Sequence, residues 1–160
     1  MANLANDTDS DEVHRVGGIG DWLDYHAQHH ADQEALVVGE LRLTYAQLLD
    51  RAARMAGVLA GRGVRKGDRV ALLLPNGNEF LETLFACARL GAIAVPINFR
   101  LSPAEVEFIL TDCGAQVLVY HPQFTPLVAP IRPNTPLAHA FYVPGSGAPM
   151  PGDVDYEQAL

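Results

Sequence analysis

The chain has 160 residues, a size that suits one domain or part of a larger one. It is 49% hydrophobic and 19% charged, which argues against wholesale disorder; at about this length folding can hide roughly 68–70% of the unfolded surface. Eleven Lys and Arg stand against nineteen Asp and Glu, and the resulting charge of −8 repels phosphate backbones and anionic lipid, so neither nucleic acid nor a charged membrane surface is an expected partner.

Residues 1–17 are polar and acidic, with Asp7, Asp9, Asp11 and Glu12 where a secretory signal would carry basic and apolar segments. They read as a disordered leader, and residues 18–160 as the folded part. No apolar run approaches the length of about 18 residues that a transmembrane helix needs. The two cysteines, Cys87 and Cys113, are too few for a disulfide framework and sit in apolar helical patterns, as buried thiols of a reducing cytoplasm do.

In chain order, Asp21 is placed to cap a short helix that turns Ile19, Trp22 and Leu23 inward. Residues 35–38 and 41–43 flank Gly39-Glu40 as a β-hairpin. Thr44 and Gln47 form a capping box for a helix with Leu48, Ala52, Met55, Ala56 and Leu59 on one face, ended by Gly61 and Gly63. Residues 70–74 are continuously apolar, as a strand buried on both faces is. After the Pro75-Asn76-Gly77 turn, Asn78 caps a helix with Leu81, Leu84, Phe85 and Ala88 inward, and residues 93–97 form the next strand. Ser102, Pro103 and Glu105 mark the clearest helix start in the chain, with Leu101 and Val106 placed for a hydrophobic staple. That helix turns Val106, Ile109, Leu110 and Cys113 inward and stops at Gly114, before a strand at 117–120.

Strand, helix, strand, helix, strand over 69–120 predicts an α/β fold: a mostly parallel sheet flanked by helices, with the small hairpin preceding it. Eight of the eleven prolines lie in 121–160, so that stretch is expected to be mostly loop, with one strand at 140–143. Residues 155–160 look like the first turn of a helix at which the chain stops.

Familiar catalytic constellations are missing. Gly61-x-Gly63 with Gly67 has the wrong spacing for a dinucleotide loop and runs from helix to strand, the reverse of the required order. Lys66, the only lysine, precedes its glycine and so makes no phosphate loop. His26, His29 and His30 could bring imidazoles together on a metal, but no carboxylate or cysteine completes the shell locally; an exposed helix end, where imidazoles suit the dipole, is the better reading. Ser10, Ser102 and Ser146 lie in no nucleophile elbow. No catalytic residue and no metal site is assigned.

Several segments in order resemble a known family. Leu43-Thr44-Tyr45-Ala46-Gln47-Leu48, Gly67-Asp68-Arg69-Val70-Ala71 with Leu74-Pro75-Asn76, and Leu90 through Asn98 continuing into Arg100-Leu101-Ser102-Pro103-Ala104-Glu105 are similar to motifs of the adenylate-forming (ANL) superfamily. The last string resembles the acyl-CoA synthetase branch, the AMP-dependent fatty-acid–CoA ligases, and Asp155-Tyr156-Glu157 resembles the approach to that family's phosphate loop. The resemblance covers about residues 19–160, the N-terminal portion only; the phosphate loop, the acidic ATP motifs and the C-terminal lysine of the family have no counterpart here.

The resemblance implies an ATP-dependent ligase that activates a carboxylate, expected to be a fatty acid, as acyl-adenylate and transfers it to coenzyme A. The full enzyme would use ATP, Mg and coenzyme A, none of which is expected to bind this segment tightly, and the segment alone is expected to be inactive. Its expected partners are the remainder of the synthetase chain and a carboxylic-acid substrate. In some relatives the residues between the Val-Pro strand and the Ser-Pro cap lie against the adenine of coenzyme A; the matching positions are Asn98, Phe99 and Arg100, with Phe99 suited to stack on a purine and Arg100 to meet a phosphate. The alternative is a stand-alone, non-catalytic interaction module derived from such an enzyme, self-associating through unpaired sheet edges. A flavodoxin-like cofactor protein fits the coarse pattern but lacks the phosphate-binding loop.

Overall fold

A computed structural model describes residues 17–160; the leader expected at the N-terminus falls almost wholly outside them. The first described helix, α1 (Ile19–His29), is followed by the antiparallel hairpin β1 (Glu34–Val38) and β2 (Leu41–Thr44). Helix α2 (Tyr45–Gly61) starts at the Thr44–Gln47 capping box read from the sequence. Then come β3 (Arg69–Leu73), α3 (Asn78–Leu90), β4 (Ile93–Pro96), α4 (Pro103–Cys113) and β5 (Val117–Tyr120). Ser102 caps α4 with its own box to Glu105. After β5 lie two 3₁₀ turns, a one-turn helix α5 (Thr125–Val128), β6 (His139–Tyr142), the two-residue β7 (Val154–Asp155) and α6 (Tyr156–Ala159).

The five strands of the main sheet run in the order β4-β3-β5-β6-β7, and every pair is parallel. Ala71 of β3 stands opposite Val95 of β4 and Leu118 of β5, so β3 is paired on both edges. Alternation along β3 explains its unbroken apolar run, because successive side chains enter different layers. Val70 and Leu72 meet Met55 and Leu59 of α2 and Ala86 and Cys87 of α3, whereas Ala71 and Leu73 meet Val106 and Leu110 of α4. Burying each such leucine contributes about 1.5–3 kcal/mol relative to exposure. A third layer forms where α1 and the hairpin cover the outside of α2 and α3, through Leu23, Leu43, Leu48, Ala52 and Phe85.

Three expectations are corrected. Asp21 does not cap α1; Gly18, in extended backbone, precedes that helix, and Ile19 in its first turn is 57% exposed while Leu23 is buried. Asn78 is the first residue of α3 rather than its cap, and its side chain is turned inward. The buried face of α3 includes Glu82 and Thr83, whereas Leu81, Leu84 and Ala88 are only partly covered. Gly91 and Gly114 stop α3 and α4 at φ +66° and +65°, the left-handed conformation that L side chains adopt at a cost.

The chain leaves β3 toward β4 through α3 on one face, then returns through α4 on the other face to reach β5 on the opposite side of β3. That reversal makes β3 and β5 the switch point of the sheet, the usual ligand position in open α/β sheets.

Candidate functional site

Asn98, Phe99 and Arg100 leave β4 at this same end of the sheet, and all three are exposed. Buried Ile97 anchors the segment from one side and the Ser102 cap of α4 from the other. Asn98 shapes the turn between them: its Oδ1 accepts the Arg100 N–H at 3.0 Å and its carbonyl accepts the Leu101 N–H at 3.2 Å. Its amide oxygen is therefore committed to the backbone, which leaves Phe99 and Arg100 as the outward-facing pair.

Phe99 is 43% exposed and lies on Phe124, the rings 5.3 Å apart and inclined by 16°. Phe124 meets His121 edge-on at 6.3 Å. The exits of β4 and β5 are thus joined by an aromatic contact that the sequence did not disclose, because Phe124 sits in a proline-rich stretch without periodicity. A stacked pair whose Phe99 is 43% exposed suits a flat heteroaromatic ring, and Arg100 next in the chain carries the positive charge an anion needs. The fit to a purine nucleotide is good on these two counts. Among the described residues no group of three His, Cys, Asp or Glu could hold a metal ion.

The other concentration of polar groups is structural. Glu82 is wholly buried on α3, where its carboxylate accepts from Arg51 Nε at 2.6 Å, Asn78 Nδ2 at 2.9 Å and Tyr156 Oη at 3.0 Å. Arg51 also reaches Glu157 at 2.5 Å. Burial opposes the Arg51 charge, but the hydrogen bonds and charges of Glu82 and Glu157 hold its pKa above the ordinary guanidinium range. Burial raises the neighbouring Glu79 carboxyl above its ordinary value. The cluster ties α2, α3 and α6 together; the one sequence signal for it was the Asn78/Glu82 spacing of four.

His26, His29 and His30 are not a bare helix end. His26 is partly buried and packs against Trp22 at 4.4 Å and Tyr45 at 5.0 Å, while His29 stacks on Tyr25 at 4.1 Å. Lys66 lies in the turn before β3, far along the chain from the β4 exit. Phe85 belongs to the outer core layer with Leu81 packed beside it, as a core stripe rather than a substrate channel would be. Cys87 is buried, and burial pushes its thiol up to about 12.

Known proteins share this fold. The family described as AMP-binding enzyme matches residues 23–145. A feruloyl-CoA synthase of an Amycolatopsis species is 46% identical over 115 residues, 72% of this chain and 23% of that enzyme. A long-chain-fatty-acid–CoA ligase of Mycobacterium tuberculosis is 50% identical over 93 residues, 58% of this chain and 18% of that enzyme. Among solved structures, an anthranilate CoA ligase in complex with anthranoyl-AMP aligns at TM-score 0.84 and 34% identity, over 89% of this chain and 27% of its own. The chain therefore spans roughly a fifth to a quarter of the length of the curated relatives it matches.

Proposed function

The chain belongs to the family of AMP-binding enzymes, and on that footing we propose that it is the N-terminal segment of an ATP-dependent acyl-CoA ligase. Its relatives are acyl-CoA synthetases, and the likeness to a solved anthranilate CoA ligase extends over 89% of this chain. The complete enzyme would join a carboxylate to AMP with release of pyrophosphate, with Mg holding the phosphates, and then pass the acyl group to the thiol of coenzyme A. The proposed carboxylate is a fatty acid, in line with the 50% identity to the long-chain ligase; the feruloyl relative marks an aryl acid as the competing substrate class.

The part assigned to this chain is a wall. The exposed Phe99 ring on Phe124 supports the adenine of coenzyme A, Arg100 meets a phosphate, and Asn98 fixes the turn that presents both. Neither ATP nor coenzyme A would be held tightly by these residues alone, since they offer one cation and one aromatic face. Among the described residues no helix is long and apolar enough to cross a membrane, and the proposed reaction belongs in the cytoplasm.

The observation that carries this reading is the alignment with the anthranilate CoA ligase over 89% of the chain. Its test is a segment exchange: residues 17–160 replace the corresponding segment of the Mycobacterium tuberculosis relative, and acyl-CoA formation from a fatty acid is measured. The exchanged enzyme is expected to make acyl-CoA and the 160-residue chain alone to make none. A folded exchange enzyme that forms neither acyl-adenylate nor acyl-CoA contradicts the reading. One observation favours the interaction-module alternative: β4 is an edge strand with Ile93 51% exposed, open to pairing with a second sheet. Acyl transfer by the exchanged enzyme would set that alternative aside.

A further inference from the structure

Residues 144–152, between β6 and β7, cross the C-terminal end of β5 and lie on the turn that follows it. Their contacts are specific. Thr125 Oγ1 donates to the Ala148 carbonyl at 2.7 Å, and the Met150 N–H donates to Tyr120 Oη at 2.9 Å. Tyr120 donates in turn to Asp153 at 2.7 Å, and Arg132 pairs with the same buried carboxylate at 2.5 Å. Two glycines permit the close approach. At Gly147, φ is +102° and a Cβ would fall 2.6 Å from the Pro122 carbonyl oxygen, and at Gly145 a Cβ would collide with Nε2 of His121.

His121 is therefore the surface on which this segment rests, and its protonation state is constrained at Nδ1. Nδ1 accepts the Gln123 N–H at 3.2 Å, which caps the 3₁₀ turn Pro122–Phe124, so in this arrangement Nδ1 carries no proton. The imidazolium cannot make that bond, because both ring nitrogens are then donors. We propose that residues 144–152 are a strap latched over the end of β5 by neutral His121 and released when the imidazole takes up a proton.

The surroundings offer an imidazolium no compensation. The strap itself, residues 122–130 after the ring and residues 73–78 at the exit of β3 contain no Asp, Glu, Lys, Arg or further His. The ionisable groups next along these elements are Glu79 on α3, Arg132 after α5 and Asp153 after the strap, the last already held by Tyr120 and Arg132. Arg100, in the β4 exit that stacks on Phe124, has the wrong sign to help. Tyr120 and Tyr142, at the ends of β5 and β6, stay neutral, since burial pushes both phenols upward. Burial likewise lowers the His121 pKa below its ordinary value, with no charged group contributing. The strap also borders the β3/β5 switch point, because the His121 N–H donates to the Leu73 carbonyl at 3.1 Å. Its release would uncover that end of the sheet.

The test is amide exchange by NMR on the 160-residue protein at pH 7.5 and pH 5, expressed as protection factors so that intrinsic rates cancel. Protection at Gln123 and Met150 is expected to fall about tenfold or more at the lower pH, while Val119 within β5 keeps its protection. The variant His121→Asn retains an acceptor for the Gln123 N–H and does not titrate; it should hold its protection at both pH values. Gly145→Ala should lose protection at Met150 at both. Unchanged wild-type protection at pH 5, or an equal loss in His121→Asn, overturns the proposal. If His121→Asn does not fold, the imidazole ¹⁵N shifts of the wild type decide. An Nε2–H tautomer whose titration coincides with the loss of protection supports the latch, and an Nδ1–H tautomer or a separate midpoint overturns it.

Discussion

Tyr156 donates its hydroxyl to Oε2 of Glu82 at 3.0 Å, joining residues 74 positions apart and fixing the last described helix, α6, to α3. Glu82 is a charge with no exposure, satisfied only because Arg51, Asn78 and Tyr156 converge on it. Removing one partner of such a buried pair leaves the other uncompensated. Glu82→Ala is expected to cost about 3–5 kcal/mol, and Tyr156→Phe about 1.5–3 kcal/mol. Urea denaturation of both single variants and the double variant measures these values. The double variant should lose less than the sum, since both changes remove one bond.

The same tyrosine sets an alkaline limit. Burial, reinforced by the Glu82 charge, pushes the Tyr156 phenol far above its ordinary range, and burial pushes Tyr120 up to about 12. The folded state then keeps protons that the unfolded chain releases near pH 10. Stability is therefore fully present below about pH 10 and is lost as the pH rises through the folded values. The urea midpoint should stay flat toward pH 10 and fall beyond it, and Tyr156→Phe should reduce the slope.

What was legible in the sequence was local chemistry. The Thr44–Gln47 and Ser102–Glu105 boxes lie within one turn, so their residues announce the helix starts that the structure shows. The parallel sheet was readable from the unbroken apolar run of β3, because a strand covered on both faces has no polar side to alternate with. Glu82 was not readable: helical spacing assigns a carboxylate outward, and Arg51 and Tyr156, the partners that pull it inward, stand 31 and 74 positions away. Phe124 under Phe99 and the strap on His121 were hidden for the same reason, since each joins two loops that carry no periodicity.

The Ser102 cap gives a smaller and cleaner effect. Its Oγ accepts the Glu105 N–H at 3.4 Å, and Glu105 accepts the Ser102 N–H at 2.8 Å. Ser102→Ala should lower stability by about 1 kcal/mol. The hydrogen bonds from Ser102 hold the Glu105 carboxyl below its ordinary value, so its contribution is present above the unfolded pKa and lost as the pH falls through the folded one. That acid dependence should weaken in Ser102→Ala, as urea midpoints between pH 3 and pH 6 would record.

The two cysteines should differ in reactivity. Cys87 is buried and its thiol is pushed up to about 12, whereas Cys113 is partly exposed at the end of α4. A thiolate is the reacting species, so a thiol reagent at pH 8 is expected to label Cys113 first. Cys87 should label only as fast as the protein unfolds. Equal rates in the native protein would mean that α3 does not cover the sheet as described.

The central claim is that this segment furnishes the coenzyme wall of an acyl-CoA ligase, and separating the two half-reactions tests it most directly. In the segment-exchange enzyme, pyrophosphate release reports adenylate formation and thioester formation reports use of coenzyme A. Phe99→Ala and Arg100→Ala should each raise the KM for coenzyme A by roughly tenfold, equivalent to about 1.4 kcal/mol, and leave adenylate formation unchanged. Equal losses in both half-reactions, or an unchanged KM for coenzyme A in both variants, would contradict the claim.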